Sequence, residues 1–304
     1  MKKILVAAIA AALIAPAAAF ADVKISGVVE QEFSVRDYAT GADDGMNGDS
    51  DVGVTFSASE DLGNGMKAFA KIDIGKDDGA TQNNDQIVGM SGGFGTVVVG
   101  RMEDFTEGKV MAMASIFESD SQSLEGGSNA GRNDNAIAYV SPTFSGFHAG
   151  IAGYAMEGNN DGEVFDAIDM VAAYSNGPIT VRLAREVIDA SALAGTSDQK
   201  AISLGLQYKA GPMDLRAVIQ QASNVAGAAA ADYTDWMLGG AYTFGNNKVV
   251  AGYESDETSA TNTDGNWQIE FQHMFSKRTK AYVGHHSADA VNGDATYFGM
   301  KHTF

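Results

Sequence analysis

The amino-acid sequence predicts an all-β fold, a closed transmembrane antiparallel β-barrel of sixteen strands. Three observations lead to it. Apolar and polar residues alternate with a period of two along most of the chain, which is typical of strands with two different faces. Short turns and long polar loops alternate between these segments. After residue 21, no segment stays apolar for the roughly 20 residues that a spanning helix needs, and inside lipid only helices and closed barrels satisfy every backbone group.

Residues 1–21 read as a secretory signal peptide. Lys2 and Lys3 form a basic start, residues 4–19 are apolar, and Ala19-Phe20-Ala21 is a small-x-small cleavage site. A membrane-anchor helix is disfavoured because Pro16 interrupts an alanine-rich, weakly hydrophobic run. We expect a mature chain of residues 22–304, beginning at Asp22 and folding as one barrel.

The charge balance excludes one class of partner. The chain has 39 acidic and 20 basic residues, and loss of Lys2 and Lys3 leaves 18 basic ones, a net charge of −21. Nucleic-acid binding requires the opposite sign, so we expect no nucleic-acid partner. With no cysteine, 36 glycines and 4 prolines, the composition suits a turn-rich β-protein without disulfides.

Alternation is clearest in six segments. In the first, Val23, Ile25 and Val29 share one face, and Lys24, Ser26 and Glu30 share the other. The same pattern recurs in five later segments, at 51–59, 66–74, 202–209, 213–220 and 266–275. A single alternating segment predicts little, whereas repetition along one chain predicts a sheet with one apolar and one polar face.

The connections give the strand count. Seven are short turns: 60–65, 92–95, 141–146, 175–178, 210–212, 245–247 and 276–278. Eight are long polar loops: 37–50, 75–85, 102–131, 155–164, 187–199, 221–232, 254–265 and 287–294. Tight turns at one rim and long loops at the other are typical of an outer-membrane barrel with the long loops outside the cell.

Alternation alone does not tell a barrel in lipid from a soluble β-sandwich, such as a secreted adhesin or lectin. The aromatic residues favour the barrel, because they fall near predicted strand ends, as the interfacial girdles of membrane barrels do. They are Phe33, Phe147, Tyr154, Tyr174, Tyr208, Tyr242, Phe244, Tyr253, Trp267, Phe275, Phe298 and Phe304.

The end of the chain resembles an assembly signal. Phe298, Met300, His302 and Phe304 alternate with smaller or polar residues, and the segment is similar to the C-terminal strand that the barrel-assembly machinery recognises in outer-membrane proteins. Other segments resemble the general, trimeric porins of Gram-negative bacteria, especially the neisserial and proteobacterial branch. These segments are EDLGNGMKA (60–68), SGGFGTV (91–97), YVSPTFSGF (139–147) and FSKRTK (275–280).

The resemblance implies a homotrimer in the outer membrane, with each barrel passing ions and small hydrophilic solutes by passive diffusion. It also implies that loop 102–131, the third long loop, folds into the lumen as a constriction loop. Its carboxylates would then line the pore: Glu103, Asp104, Glu107, Glu118, Asp120 and Glu125. By motif context Arg101 and Arg132 match basic positions on the opposing wall, and Arg182 and Arg216 lie on predicted lumen faces. Because acidic residues prevail, we expect a cation preference.

Other functions find less support. The sequence contains no set of catalytic residues, no cofactor motif and no metal-ligand spacing. Residues 157–162 resemble the start of a calcium-binding loop, but Ile168 stands at the position where such a loop requires a glutamate. Acidic loops bridged by divalent cations to lipopolysaccharide are a further expectation. A substrate-specific channel and an outer-membrane enzyme are the remaining alternatives; a phosphate channel should be basic inside, and a sugar channel should carry lumenal aromatic residues.

Overall fold

The computed structural model describes residues 22–37, 45–77, 80–119, 131–155, 164–193, 195–229, 232–256, 263–287 and 294–304. The predicted signal peptide, residues 1–21, lies outside them. Among the described residues, no helix is both long and apolar enough to cross a bilayer.

Sixteen antiparallel strands form a closed barrel, which confirms the predicted fold class. Each strand pairs with its neighbours in sequence, and β1 pairs with both β2 and β16. The strands are β1 (Asp22–Asp37), β2 (Met46–Gly63), β3 (Met66–Asp77), β4 (Ala80–Gly92), β5 (Gly95–Glu103), β6 (Arg132–Val140), β7 (Phe147–Ala155), β8 (Ala167–Asn176), β9 (Ile179–Ile188), β10 (Gln199–Ala210), β11 (Met213–Ser223), β12 (Tyr233–Phe244), β13 (Asn247–Asp256), β14 (Thr263–Met274), β15 (Thr279–Ser287) and β16 (Asp294–Thr303).

The apolar positions of the alternation point outward. Val23, Ile25, Phe56 and Leu238 are among the exposed large apolar side chains that cover the outer surface. Outward aromatic residues lie near the tight turns, where Phe94, Tyr139, Phe144, Phe147, Tyr174, Tyr208, Tyr242, Phe244 and Phe275 are all exposed, and Tyr253 and Trp267 are exposed near the opposite rim. Tyr154 does not belong to this girdle, because it is fully buried. An apolar band with an aromatic girdle is the outer surface expected of a barrel in lipid.

The second predicted long loop, 75–85, is wrong. β3 continues to Asp77 and β4 begins at Ala80; after a register shift between Ile72 and Ile74, the two strands remain paired up to the Asp77–Ala80 pair. The segment TQNND, residues 81–85, is polar at every position, so it carries no alternation although it is a strand. Strands pair through backbone groups, so a strand needs no particular side chains. Alternation in the sequence predicts a strand only where the two faces of that strand meet different surroundings.

The last strand closes the barrel against the first. Phe298, Met300, His302 and Phe304 share the outward face, and the ring of Phe298 stacks on that of Phe33 with centroids 5.5 Å apart. Beyond β16, the backbone of Phe304 exchanges two hydrogen bonds with Gly27, both 3.0 Å long. A Cβ atom at Gly27 would lie 2.5 Å from the Phe304 ring, so the glycine provides the space for that ring.

Deletion of Phe304 should weaken the seam between β1 and β16. It removes two backbone hydrogen bonds worth about 0.5–1.5 kcal/mol each, so the refolded protein should lose about 1–3 kcal/mol of stability. The measurement is the melting of the folded, unheated form on SDS gels. Phe144→Ala is the control, because that phenylalanine is 80% exposed beside a tight turn. Equal melting of the truncated and full-length proteins would contradict the importance of this contact.

Candidate functional site

The segment that joins β5 to β6, here called loop three, folds into the barrel. It runs from 104 to 131, and the structure describes residues 104–119 and Gly131. A π-helical turn, Thr106–Val110, and a 3-10 turn, Met111–Met113, open the loop. From there the chain follows the inner wall strand by strand, from β8 to β16 and on to β1.

The root of the loop is tied by two aspartates. Asp104 accepts hydrogen bonds from the backbone N–H groups of Glu107 (2.6 Å) and Gly131 (2.8 Å), which closes the two ends of the loop on each other. Asp169 of β8 accepts hydrogen bonds from the backbone N–H (2.7 Å) and hydroxyl (3.1 Å) of Thr106. Burial, together with the nearby charge of Asp169, raises the pKa of Asp104 well above its usual value despite those backbone hydrogen bonds.

The middle of the loop is held by cationic side chains of the wall. Arg182 of β9 donates to the carbonyl of Lys109 at 2.6 Å, and Arg216 of β11 donates to that of Ser115 at 3.0 Å. Lys248 of β13 donates to the carbonyl of Ile116 at 3.4 Å. The wall thus supplies hydrogen-bond donors where the irregular loop leaves backbone carbonyls without intraloop partners.

At the last described residues of the loop, the wall supplies charges of both signs. Glu118 pairs with Lys280 of β15 at 2.6 Å and with Lys301 of β16 at 3.3 Å. Its backbone N–H donates to the carboxylate of Glu270 on β14 at 3.2 Å. The Ser119 hydroxyl reaches Glu32 of β1 at 3.0 Å. Although burial acts to raise the pKa of Glu118, the two lysines outweigh it and lower that pKa below its usual value.

Apolar contacts complete the interface between loop and wall. Phe105, Met113, Ile116 and Phe117 each lie over a lumen-facing glycine of the wall; the four pairs are Phe105 on Gly150, Met113 on Gly205, Ile116 on Gly239 and Phe117 on Gly252. A Cβ atom on these glycines would meet the loop side chains at between 2.6 and 3.3 Å. The glycines therefore form a track that lets the loop lie close to the wall.

This packing changes the chemistry of the inner wall. Under the loop, the lumen faces of β11 to β13 carry the buried apolar residues Val218, Met237, Ala241 and Val250, which pack against the loop. The alternation predicted one apolar and one polar face of the sheet, and in this covered part the lumen face departs from that pattern. A residue that faces the lumen but lies beneath the loop is in a core, so the apolar residues there are stabilised by burial.

The wall from β3 to β6 carries a network of charged residues that is partly open to the lumen. Lys71 pairs with Asp85 (3.0 Å) and Asp73 (3.6 Å), and Arg132 pairs with Glu103 (2.5 Å) and Asp85 (3.6 Å). The five side chains are between 23% and 35% exposed. The geometry is thus a barrel in which the described part of loop three is fixed to the wall from β8 to β1, while the wall from β3 to β6 carries a partly exposed charged network.

A family model described as Gram-negative porin matches residues 6–293. The chain belongs to the Gram-negative porin family. It is 27% identical to "Outer membrane porin protein 32" of Delftia acidovorans, over 99% of this chain and 93% of that protein. It is 26% identical to "Major outer membrane protein P.IB" of Neisseria gonorrhoeae over the full length of both. The protein is therefore an outer-membrane porin, in agreement with the predicted family and location.

Solved structures share the fold at low sequence identity. A Salmonella typhi OmpF complex with daunomycin matches with a TM-score of 0.77 and 13% identity, over 93% of this chain and 97% of that one. The structure described as the anion-selective porin from Comamonas acidovorans matches with a TM-score of 0.72 and 22% identity, over 94% and 100%. In-vitro folded OmpT of Vibrio cholerae, described as a trimer form, matches with a TM-score of 0.70 and 15% identity, over 93% and 99%.

The structure places the predicted basic residues of the porin in two groups. Arg182 and Arg216 lie beneath loop three and bind its carbonyls. Arg132 pairs with Glu103 beside the root of the loop, rather than facing it across the lumen. Arg101 donates to the Asn83 carbonyl and pairs with Asp134, both at 2.7 Å.

The predicted acidic residues also differ in their surroundings. Asp104 is only 1% exposed, so it is not a pore-lining carboxylate; its side chain turns back to close its own loop. Glu103 and Glu118 are both in ion pairs, and Glu107 lies half-buried on the first helical turn. Asp120 and Glu125 lie outside the described residues.

Sequence reasoning missed the wall residues that hold the loop, namely Asp169, Lys248, Glu270, Lys280 and Lys301. One signal was available for Glu270, which stands on the polar face of an alternating segment, opposite Trp267, Ile269 and Phe271. The alternation along a strand predicts which face of the sheet a residue lies on, but it does not predict which lumen-facing residue lies beneath the loop.

Gly252→Val should push loop three away from the wall and reduce single-channel conductance. The new Cβ would meet the Phe117 ring at 2.9 Å, and overpacking of this kind costs about 1–3 kcal/mol. The neighbouring change Ala251→Val is the matched control, because Ala251 is exposed on the opposite face of the same strand. If both variants conduct like the wild type, the glycine track does not position the loop.

The lowered pKa of Glu118 predicts how its anchor responds to acid. A depressed pKa means that the ion pairs persist as pH falls through 4.5, the usual value for glutamate, and are lost only at lower pH. Current noise in planar-bilayer recordings should therefore stay constant down to that pH and rise below it. Glu118→Gln should be noisy at neutral pH already, without the acid transition. An onset of noise well above pH 4.5 in the wild type would show that the two lysines do not hold the loop through Glu118.

Proposed function

We propose that this porin is a general diffusion channel for ions and small hydrophilic solutes, and that it prefers cations. Solutes pass between loop three and the wall from β2 to β6. The observation that carries the proposal is the attachment of the loop to the other side of the barrel, from Asp169 of β8 to Lys301 of β16. Such a loop narrows a wide barrel to a passage without closing it.

The charged residues of the open wall support the cation preference. The network on β3 to β6 has three carboxylates, Asp73, Asp85 and Glu103, against two cations, Lys71 and Arg132. The whole chain carries 39 acidic and 20 basic residues. Excess negative charge along a confined passage and at its mouths raises the local concentration of cations.

The cations beneath loop three oppose this preference less than their number suggests. Glu118 pairs with Lys280 and Lys301, Glu30 pairs with Lys301 at 2.6 Å, and Asp214 pairs with Arg216 at 3.0 Å. Arg182 and Lys248 point at loop carbonyls, whose dipoles are negative toward them. The paired sets contain equal numbers of opposite charges, so beyond a Debye length, about 8 Å at physiological ionic strength, they act on an ion as dipoles. Arg182 and Lys248 keep their positive charge, but it lies beneath the loop.

The same architecture occurs with the opposite selectivity, since the porin of Comamonas acidovorans is described as anion-selective. The fold therefore does not determine the sign of selectivity, and the argument for cations rests on the charged residues of this chain. The proposal is thus about side chains, and it is tested by changing them.

Further parts of the proposal concern assembly. We propose export with a cleaved signal of residues 1–21, supported by the basic start at Lys2 and Lys3, the apolar residues 4–19 and the small-x-small site Ala19-Phe20-Ala21. We also propose a homotrimer, recognition of the Phe298–Phe304 strand by the barrel-assembly machinery, and contact with lipopolysaccharide through divalent cations. No enzymatic activity is part of the proposal, because the family consists of channels.

The purified protein in a planar bilayer should show ohmic conductance and a zero-current potential of the sign for cation permeability in a KCl gradient. The effect should be larger at low salt, because at about 1 M screening acts within about 3 Å. A potential of the opposite sign at low salt would overturn the proposed preference and leave the porin assignment unaffected.

Glu118→Gln should move that potential toward anion permeability, because it leaves Lys280 and Lys301 without their shared partner. Unit charges about 4 Å apart interact by about 1–4 kcal/mol, so a change of several-fold in the permeability ratio is expected. Asp61→Asn is the matched control; it removes the same charge at a periplasmic turn, where Asp61 accepts a hydrogen bond from Gly63. Equal shifts in the two variants would argue against control at the constriction.

A further inference from the structure

Three buried carboxylates meet at the root of loop three. Asp169 of β8 and Glu186 of β9 are direct cross-strand partners in the register, and both face the lumen side. Asp104 joins them from the start of the loop. One oxygen of each lies within 4.8 Å of the others, and no side chain of the three is more than 1% exposed. Like charges placed directly opposite each other in a sheet are destabilising, and burial adds to the cost.

Two of these three carboxylates have no ion-pair partner in the part of the chain that the structure describes. Among the residues that the structure describes, no lysine or arginine forms an ion pair with Asp104 or Asp169. Buried carboxylates in this position must either take up protons or bind a cation that the chain does not provide.

The hydrogen bonds arrange the carboxylates as a cation would need them, although without a cation burial outweighs these bonds at Asp104. Both oxygens of Asp104 accept backbone N–H groups, and both oxygens of Asp169 accept donors from Thr106. An oxygen that accepts from a donor is in the role of the ionised form, and hydrogen bonds of this kind stabilise that form. Each oxygen keeps a second lone pair for a metal ion, and ligating carboxylates are commonly held by such donors.

A fourth side chain points into the same place. Tyr154 of β7 is fully buried, and its hydroxyl has no hydrogen-bond partner in the described structure. Tyr154 stands two residues from Ala152, the register partner of Asp169, and both are buried on the lumen side of β7. A buried phenol beside three carboxylates that donates to none of them leaves a polar position unfilled, which a metal ion or its water would occupy.

We propose that Asp104, Asp169 and Glu186 bind one Ca²⁺, which fixes the root of loop three to β8 and β9. The ligands are all oxygen, which selects a hard cation. Calcium–oxygen distances of about 2.3–2.6 Å place ligands on opposite sides of the ion roughly 5 Å apart, in keeping with the 4.8 Å limit within which these oxygens lie. Calcium also tolerates irregular coordination better than Mg²⁺, which demands near-octahedral geometry.

The test is calcium binding by the full-length folded porin in detergent, after treatment with EDTA. Calorimetric titration with CaCl₂ should show one saturable site per chain, distinct from weak binding by acidic loops. Glu186→Gln should weaken that site by about tenfold or more, since even changes around metal ligands cost about 10–100-fold. Asp134→Asn is the matched control; it removes a carboxylate that is 58% exposed near the same loop, and it should bind like the wild type.

Terbium provides a second readout that does not depend on the folding of a charge variant. Tb³⁺ replaces Ca²⁺ and emits when a nearby tyrosine is excited, so Tyr154→Phe should remove most of the sensitised emission of the tight site. Added Ca²⁺ should compete for the emission of the wild type. If Glu186→Gln and Tyr154→Phe leave both titrations unchanged, the carboxylates hold protons and the proposed site is wrong.

Discussion

A backbone that folds inside a lumen must find partners for its N–H and carbonyl groups, and in this porin charged side chains of the wall provide them. Their signs match the groups they meet. Arg182, Arg216 and Lys248 face carbonyl oxygens, whereas Asp169 and Glu270 face N–H groups. Leaving one such group unsatisfied in a buried place costs about 1–3 kcal/mol. The position of loop three, and therefore the width of the passage, depends on these wall residues.

Apolar packing determines the distance between loop three and the wall. Hydrogen bonds to flexible lysine and arginine side chains would allow the loop to stand at several distances from the wall. Phe117 over Gly252 and Met113 over Gly205 allow close approach only where the wall has no side chain. The covered side of the lumen is consequently a small hydrophobic core, which excludes water from the hydrogen bonds beside it and strengthens them.

The sequence predicted the strands far better than the site, and the reason is physical. Alternation arises where one face meets lipid and the other meets water, so segments such as 202–209 and 213–220 were recognisable; the all-polar segment 81–85 was not. Loop three was recognised by length and resemblance. Its partners were not, because Glu270 lies 152 residues from Glu118, and only the cumulative register of the whole barrel brings them together. The burial of Asp104 depends on the same register.

Charges in this lumen do two different tasks, and their geometry separates the tasks. Several anchoring charges occur in opposite-sign sets within hydrogen-bonding distance, such as Glu30 and Glu118 with Lys280 and Lys301, or Asp214 with Arg216. Such sets act strongly on the loop but weakly on a passing ion, because their fields largely cancel beyond a few ångströms and salt screens the remainder. The proposed cation preference therefore depends on the excess of carboxylates along the wall from β3 to β6, which is separate from the charges that anchor the loop. Substitutions on that wall would change the selectivity while loop three stays anchored.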